Sequence, residues 1–266
     1  MSTQLPLRPL GQTGIAVSPL GLGTVKFGRN QAVKYPAHFE LPTDEQIVEL
    51  LTTARTLGIN TLDTAPAYGT SEARLGQLLP GKRSDWVIIG KVGETFIDGV
   101  SDYNFNADFI ERSIEHSLKN LNTDYLDVML IHSNGDDVNI IQHHRVFETL
   151  EKLKSQRLIR AFGMSTKTIA GGLLTLQHAD VAMITYNPIA PEEKPVIDTA
   201  VKQHKGILIK KALASGHLNK IAAEDPLRAT MNFIFNTPGV SSVIVGTINP
   251  AHLQENVRAA RCVLTP

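Results

Sequence analysis

Four side chains in the first half of the chain could act on a single proton. They are Asp63 and Tyr68 in TLDTAPAYGTSE, Lys91 in VIIGK and His132 in VMLIHS. A tyrosine serves as a general acid when its pKa, about 10 in water, is drawn towards neutrality. A nearby ammonium does that by favouring the phenolate, so Lys91 is the expected source of the shift. Asp63 would keep the lysine charged and aimed. His132 would hydrogen-bond the same oxygen that the tyrosine protonates. Such a site protonates a carbonyl oxygen while a nucleophile reaches the carbon. No serine or cysteine stands out beside a paired base, so the nucleophile is expected from outside, as hydride from a nicotinamide cofactor.

These residues can meet only if the surrounding elements bring them to one place. Strand-like and helix-like runs alternate from PLGLGT at 19–24 to PAHLQENVRAA near the C-terminus. The helices carry end signals, such as Thr43 and Gln46 opening TDEQIVELLTTARTLG and Gly58 closing it. The strands are apolar with little alternation, as expected when both faces are buried. Eight strand–helix units predict an α/β fold, a closed (β/α)8 TIM barrel, with residues 1–266 forming one domain. LRPLGQTGIAVSPLG reads as a β-hairpin closing the bottom of that barrel. GLGTVKFG lacks the third glycine of a dinucleotide fingerprint, so an open doubly wound sheet is disfavoured. In a barrel of this kind chemistry sits at the C-terminal strand ends. Asp63, Lys91 and His132 each close one of three consecutive strands, with Tyr68 on the loop just beyond the first.

Composition narrows the partners. Lys plus Arg and Asp plus Glu are both 26, so no basic surplus points to nucleic acid. The one cysteine, Cys262, allows no internal disulfide and suits a reducing cytoplasm. MSTQLPLRPLGQTG holds no signal-peptide core, and no run is long and apolar enough to span a membrane. The histidines show no metal-ligand spacing, and QHH at 142–144 reads as the solvated start of a helix.

With these motifs in place, the chain resembles the aldo-keto reductases. LGQTGIAVSPLGLGT, LDTAPAYG, IIGKVG, LIHS, GMST and IVGTINPAHLQEN occur in family order. The resemblance implies an NAD(P)H-dependent oxidoreductase that reduces a small aldehyde, ketone or sugar carbonyl, or oxidises the alcohol. It implies Tyr68 as proton donor, Lys91 as the group that depresses its pKa, Asp63 as the partner of Lys91, and His132 as the group orienting the carbonyl.

The cofactor end has its own physical signal. Asn249 and Pro250 suit the N-cap and first position of a helix after the last strand, where free N–H groups and the helix dipole favour an anion. By resemblance, Gly246, Thr247 and Asn249 would hold the adenosine phosphate, with Glu255 and Asn256 near the adenine. Ser165 and Thr166, with Asp63 close by, would hold the carboxamide, and Thr24 and Lys26 would lie near the pyrophosphate. Many relatives carry lysine at Gly246 and arginine at His252, which weakens the selectivity implied here. NADP(H) is still expected over NAD(H). Met183 replaces a carboxamide-binding glutamine, and Lys210, followed by Lys211, replaces an aromatic that stacks on the ring. Either lysine could reach a cofactor phosphate or stand on the rim in solvent. Tyr35, Phe39, Phe96, Tyr103 and Phe105 could wall the substrate pocket. Two other functions compete: a Schiff-base lyase using Lys91, and a non-catalytic nicotinamide-binding sensor.

Overall fold

The computed structural model describes residues 5–36 and 38–264. The first four residues, part of the segment read for a signal peptide, lie outside the described residues, as do 37, 265 and 266.

The expected barrel forms. Its strands are β3 (Leu20–Gly23), β4 (Thr61–Asp63), β5 (Val87–Val92), β8 (Leu126–His132), β9 (Ile159–Ser165), β10 (Val181–Thr185), β11 (Gly206–Lys210) and β12 (Ser242–Val245). They pair in parallel and in chain order, and β12 closes on β3. Ahead of them, β1 (Arg8–Pro9) and β2 (Ala16–Val17) form the two-stranded antiparallel hairpin. Each barrel strand is followed by a covering helix, from α2 (Asp44–Thr56) after β3 to α10 (Pro250–Leu264) after β12. A short helix, α1 (Val25–Gly28), precedes α2 directly after β3.

Local chemistry fixes these ends. The Thr43 hydroxyl accepts from the Gln46 amide at 3.3 Å, and the Thr43 amide donates to the Gln46 side chain at 2.9 Å. This reciprocal cap satisfies two of the amides that a helix start leaves unpaired. Gly58 ends the same element at a φ of 84°, in the left-handed region that glycine enters without steric cost.

Alternation along the strands separates two buried layers. Leu62, Ile88, Met129, Ile131, Phe162 and Ile209 face outward into the helices. Val87 and Ile89, Val128 and Leu130, Ala161, Val181, Met183 and Leu208 face inward, where Leu10, Ile15 and Val17 of the hairpin pack against them. The hairpin is therefore an apolar stopper, each fully buried large side chain contributing about 1.5–3 kcal/mol. Gly11 lets it seat: a β-carbon there would fall 2.5 Å from the Gly206 nitrogen. Two residues beyond this apolar layer, the same inward parity delivers Asp63, Lys91, His132, Ser165 and Lys210 to the upper end of the barrel. The interior thus turns from apolar to polar within one step of the pleat.

Two elements depart from the sequence expectation. β6 (Glu94–Ile97) and β7 (Val100–Tyr103) make a second hairpin, standing on the upper rim after β5. Asp98 and Gly99 join them with φ of 50° and 83°, the positive pair that a type I′ turn requires. An additional helix, α5 (Asp137–His143), follows β8. Gln142 and His143 therefore close a helix rather than open one.

Candidate active site

Asp63, Tyr68, Lys91 and His132 come together at the upper mouth. Asp63 and His132 are the last residues of β4 and β8, and Lys91 is the penultimate residue of β5. Tyr68 ends a single 3-10 turn, Pro66–Tyr68, that follows β4. The Lys91 ammonium donates to the Asp63 carboxylate and, at 2.9 Å, to the Tyr68 hydroxyl oxygen. The Tyr68 and His132 rings meet edge to face, with centroids 6.2 Å apart. Among the described residues no acceptor takes the phenol's own proton, so it is available to a guest in the cavity.

Burial pushes the Tyr68 phenol up to about 12, against the pull of the Lys91 charge and hydrogen bond, and the Asp63 charge adds to the rise. This corrects the sequence expectation of a phenol drawn towards neutrality: desolvation and a neighbouring carboxylate outweigh one ammonium. The consequence is a tyrosine held firmly as an acid. Burial also works against the Lys91 charge, yet Asp63 and Tyr68 more than offset it and raise the lysine. Lys91 is therefore a fixed cation facing the oxygen from which a proton would leave.

Three residues that sequence reasoning did not single out, Glu94, Ser101 and Arg29, complete the centre. Glu94, the first residue of β6, is buried and places Oε2 2.9 Å from His132 Nδ1. Its other oxygen accepts from the Ser101 hydroxyl at 2.6 Å and lies 3.6 Å from the Arg29 guanidinium. Burial pushes the Glu94 carboxyl up, but His132, Ser101 and Arg29 together hold it down at about 2. For His132, burial lowers the pKa, and Lys91 and Lys210 add to that against the support of Glu94. The His132 Nδ1 approaches this carboxylate without the alignment of a hydrogen bond and has no hydrogen-bond partner, so the pair is an electrostatic contact. The available signal was Asp-Gly in ETFIDGVSDY, which marks a hairpin and places Glu94 at its base on the rim.

A testable consequence concerns this pair. Glu94→Gln should move the His132 titration still lower, because the anion supporting the imidazolium is gone. It should also lower turnover, because the carboxylate charge behind the ring is gone. Imidazole ¹⁵N NMR of wild type and variant should follow that shift. An unchanged titration in Glu94→Gln would contradict this arrangement.

The four residues open on a cavity of about 730 Å³. Of the residues expected at a cofactor, Lys26, Asp63, Ser165, Lys210, Lys211, Gly246, Thr247, His252, Glu255 and Asn256 line it. Thr24, Thr166 and Asn249 do not. The Thr24 hydroxyl donates to the Asp63 carbonyl at 2.9 Å and accepts from Ser71, so it braces β4 beneath the site. Asn249 caps α10 by accepting from Ala251 at 2.8 Å, and the Thr247 hydroxyl accepts from the Asn249 amide. Thr166 keeps a buried hydroxyl without a partner beside the cavity-lining Ser165.

Lys210 is half-buried rather than a solvated rim lysine, and its ammonium donates to the Ser165 hydroxyl and the Thr166 carbonyl. Lys211 is exposed and also lines the cavity. Tyr35 and Phe39 line it too, with the Lys26 ammonium 3.9 Å and 4.7 Å from their ring centres. Phe96, Tyr103 and Phe105 do not. Arg29 covers Phe96 at 3.4 Å, and Phe105 packs between Tyr103 and His144. Among the described residues no helix is long and apolar enough to cross a membrane, and no cluster of three metal-capable side chains occurs.

Comparison with known proteins finds relatives of the whole chain. A model of the Aldo/keto reductase family matches residues 19–225. A solved Pseudomonas aeruginosa structure, of a protein assigned to the aldo-keto reductases, is 50% identical with a TM-score of 0.89, covering 97% of this chain and 96% of that one. L-galactose dehydrogenase of Arabidopsis thaliana is 32% identical over 304 residues, covering 97% of this chain and 88% of the relative. The holo form of a Bacillus halodurans aldo-keto reductase shares the fold with a TM-score of 0.80 at 20% identity, covering 98% of this chain and 95% of that one.

Proposed function

The chain belongs to the aldo/keto reductase family, whose members are NAD(P)H-dependent oxidoreductases, and on that premise we propose that it reduces the carbonyl of a small aldehyde, ketone or sugar, or oxidises the corresponding alcohol, with Tyr68 as general acid and base. The observation that carries this reading is Lys91 bridging Asp63 and the Tyr68 oxygen at the floor of the cavity. When bound, the nicotinamide supplies hydride to the carbonyl carbon. As the carbon–oxygen π bond breaks, the oxygen takes the Tyr68 proton, and the charge left on the phenol oxygen falls on the Lys91 ammonium. Asp63 keeps that ammonium in place. His132 faces the same oxygen, with the Glu94 carboxylate behind its ring.

Features of the cavity support a dinucleotide. It extends from Tyr68 to Asn256 and lies within the range typical of small-molecule sites. The Ser165 hydroxyl suits an amide, and Gly246 presents no side chain where a chain of phosphates would pass. Glu255 and Asn256 would meet the adenine, and Lys26 the pyrophosphate. Thr247 and Asn249, whose side chains hold their own turn, would act through the shape and amides of the helix start. A Schiff-base lyase is disfavoured, because a lysine nucleophile needs a depressed pKa and Lys91 is raised. A pure sensor would not need the Lys91–Tyr68 contact. The name of the L-galactose relative makes aldoses the first class to test. The proposed compartment is the cytoplasm.

The test is a panel of aldehydes, ketones, aldoses and the matching alcohols, followed at the reduced nicotinamide absorbance with both cofactors. No turnover of any carbonyl or alcohol would refute the proposal. Cofactor choice gives a separate prediction. His252, exposed and lining the cavity beside Glu255 and Asn256, is the side chain proposed to meet the phosphate, and NADPH should be favoured over NADH. A single charge-assisted hydrogen bond allows about 10- to 150-fold in affinity. In His252→Ala the preference should shrink by a factor within that range in fluorescence titrations. An unchanged preference would mean that another group reads the phosphate.

A further inference from the structure

We infer that Lys210 links the oxidation state of the bound cofactor to a proton: the oxidised, cationic ring binds tightly only when the Lys210 amine is neutral, and its binding expels the proton to solvent. The inference rests on the proposed hydride transfer, because it needs a nicotinamide in this cavity.

Two lysines enter the upper layer of the barrel, and they are held differently. Lys91 is ion-paired with Asp63. Lys210 reaches from β11 across to the end of β9 and meets only neutral partners, the Ser165 hydroxyl at 2.9 Å and the Thr166 carbonyl at 2.5 Å. Among the described residues no carboxylate pairs with it. Four titratable groups face it from other elements. Glu193, ahead of α8 (Lys194–Gln203), has one oxygen engaged by the Thr185 amide at 3.1 Å. Asp137 on α5 is engaged by the Lys167 and Thr168 amides and the Thr168 hydroxyl. Lys91 and His132 lie on the opposite wall, and Lys211 is the next residue in the chain. Burial lowers Lys210 first, and Lys211 and Lys91 add to it against Glu193 and Asp137, bringing it to about 7.

A half-buried lysine without an ion-paired anion sits where hydride transfer creates a second positive charge. The reduced ring is neutral and the oxidised ring carries one positive charge. Both forms carry the same phosphates, so the phosphates do not distinguish them. In a desolvated cavity two like charges repel strongly. Relief comes by breaking one Nζ–H bond, with the electron pair staying on nitrogen and the proton leaving through the cavity mouth. No electron moves in that step. The partner groups survive it, because a neutral amine still has two hydrogens for Ser165 and Thr166.

The experiment measures Kd for NADPH by fluorescence and for NADP⁺ by competition, from pH 6 to pH 8. One linked proton titrating near neutrality predicts that Kd(NADP⁺)/Kd(NADPH) falls about tenfold across that range. Any effect at the phosphates, which both forms share, cancels in the ratio. Lys210→Met should flatten the ratio, and Lys210→Arg, a cation that does not titrate, should hold it high at both pH values. If neither variant folds, an indicator dye in weak buffer should still show proton release when NADP⁺, but not NADPH, binds the wild-type protein at pH 6. A flat wild-type ratio, a slope that persists in Lys210→Met, or both Kd values rising together with pH would overturn the inference and leave the proposed function standing. The last of these outcomes would make Lys210 an anion holder. Failure of both cofactors to bind would overturn the inference and the proposed function together.

Discussion

Tyr68→Phe should lower kcat for carbonyl reduction by about 10²- to 10⁴-fold, the range typical of a positioned general acid. The substitution removes one oxygen and little else. The ring keeps its edge contact with His132, and Lys91 keeps Asp63, so the fold and the cavity should persist. Cofactor affinity should change little, because Tyr68 acts on the substrate oxygen. The loss should therefore appear in kcat and in kcat/KM together, the pattern of an interaction made only in the transition state. Because the phenol is pushed up to about 12, wild-type reduction should show no alkaline loss attributable to Tyr68 in the neutral range. Near wild-type turnover in Tyr68→Phe would remove this residue from the mechanism.

The barrel and its chemistry were unequally legible in the sequence. The strands were readable because parallel strands buried on both faces become continuous apolar runs, and the caps at Thr43 and Gly58 carry local signals. Asp63, Lys91 and His132 were readable because each ends such a run. Lys210 ends one too, but its inward direction follows only from parity: Leu208 lies in the barrel interior, and Lys210 is two residues on. Parity also sets Lys210 apart from Lys211, which the sequence left together as a pair. Glu94 was harder. Nothing in its immediate neighbours marks it as a partner of His132, and only the hairpin that lifts it onto the rim makes the contact. The Tyr68 pKa could not be read at all. Its direction depends on how far burial and Asp63 outweigh Lys91, which is a matter of distances. Phe96, Tyr103 and Phe105 show the same limit, since an aromatic near a site in sequence packs wherever the local hairpin directs it.

Lys91→Met should be as damaging to turnover as Tyr68→Phe, for a different reason. Tyr68 would remain a phenol, but the charge left after proton transfer would have no cation facing it, and the Asp63 carboxylate would add repulsion. If cofactor affinities are unchanged, both directions must lose equally in kcat/KM, because they share one transition state and the equilibrium constant is fixed. The variant also carries a stability cost. Asp63 is 5% exposed, and losing Lys91 strands its charge. Breaking one side of a buried ion pair typically costs about 3–5 kcal/mol. Loss of activity alone would therefore be ambiguous, and the double variant Asp63→Asn, Lys91→Met separates the two causes. Removing the stranded charge should restore most of the lost Tm while leaving turnover low. Recovery of turnover along with Tm would show that Lys91 only neutralises Asp63 and plays no part in the proton transfer.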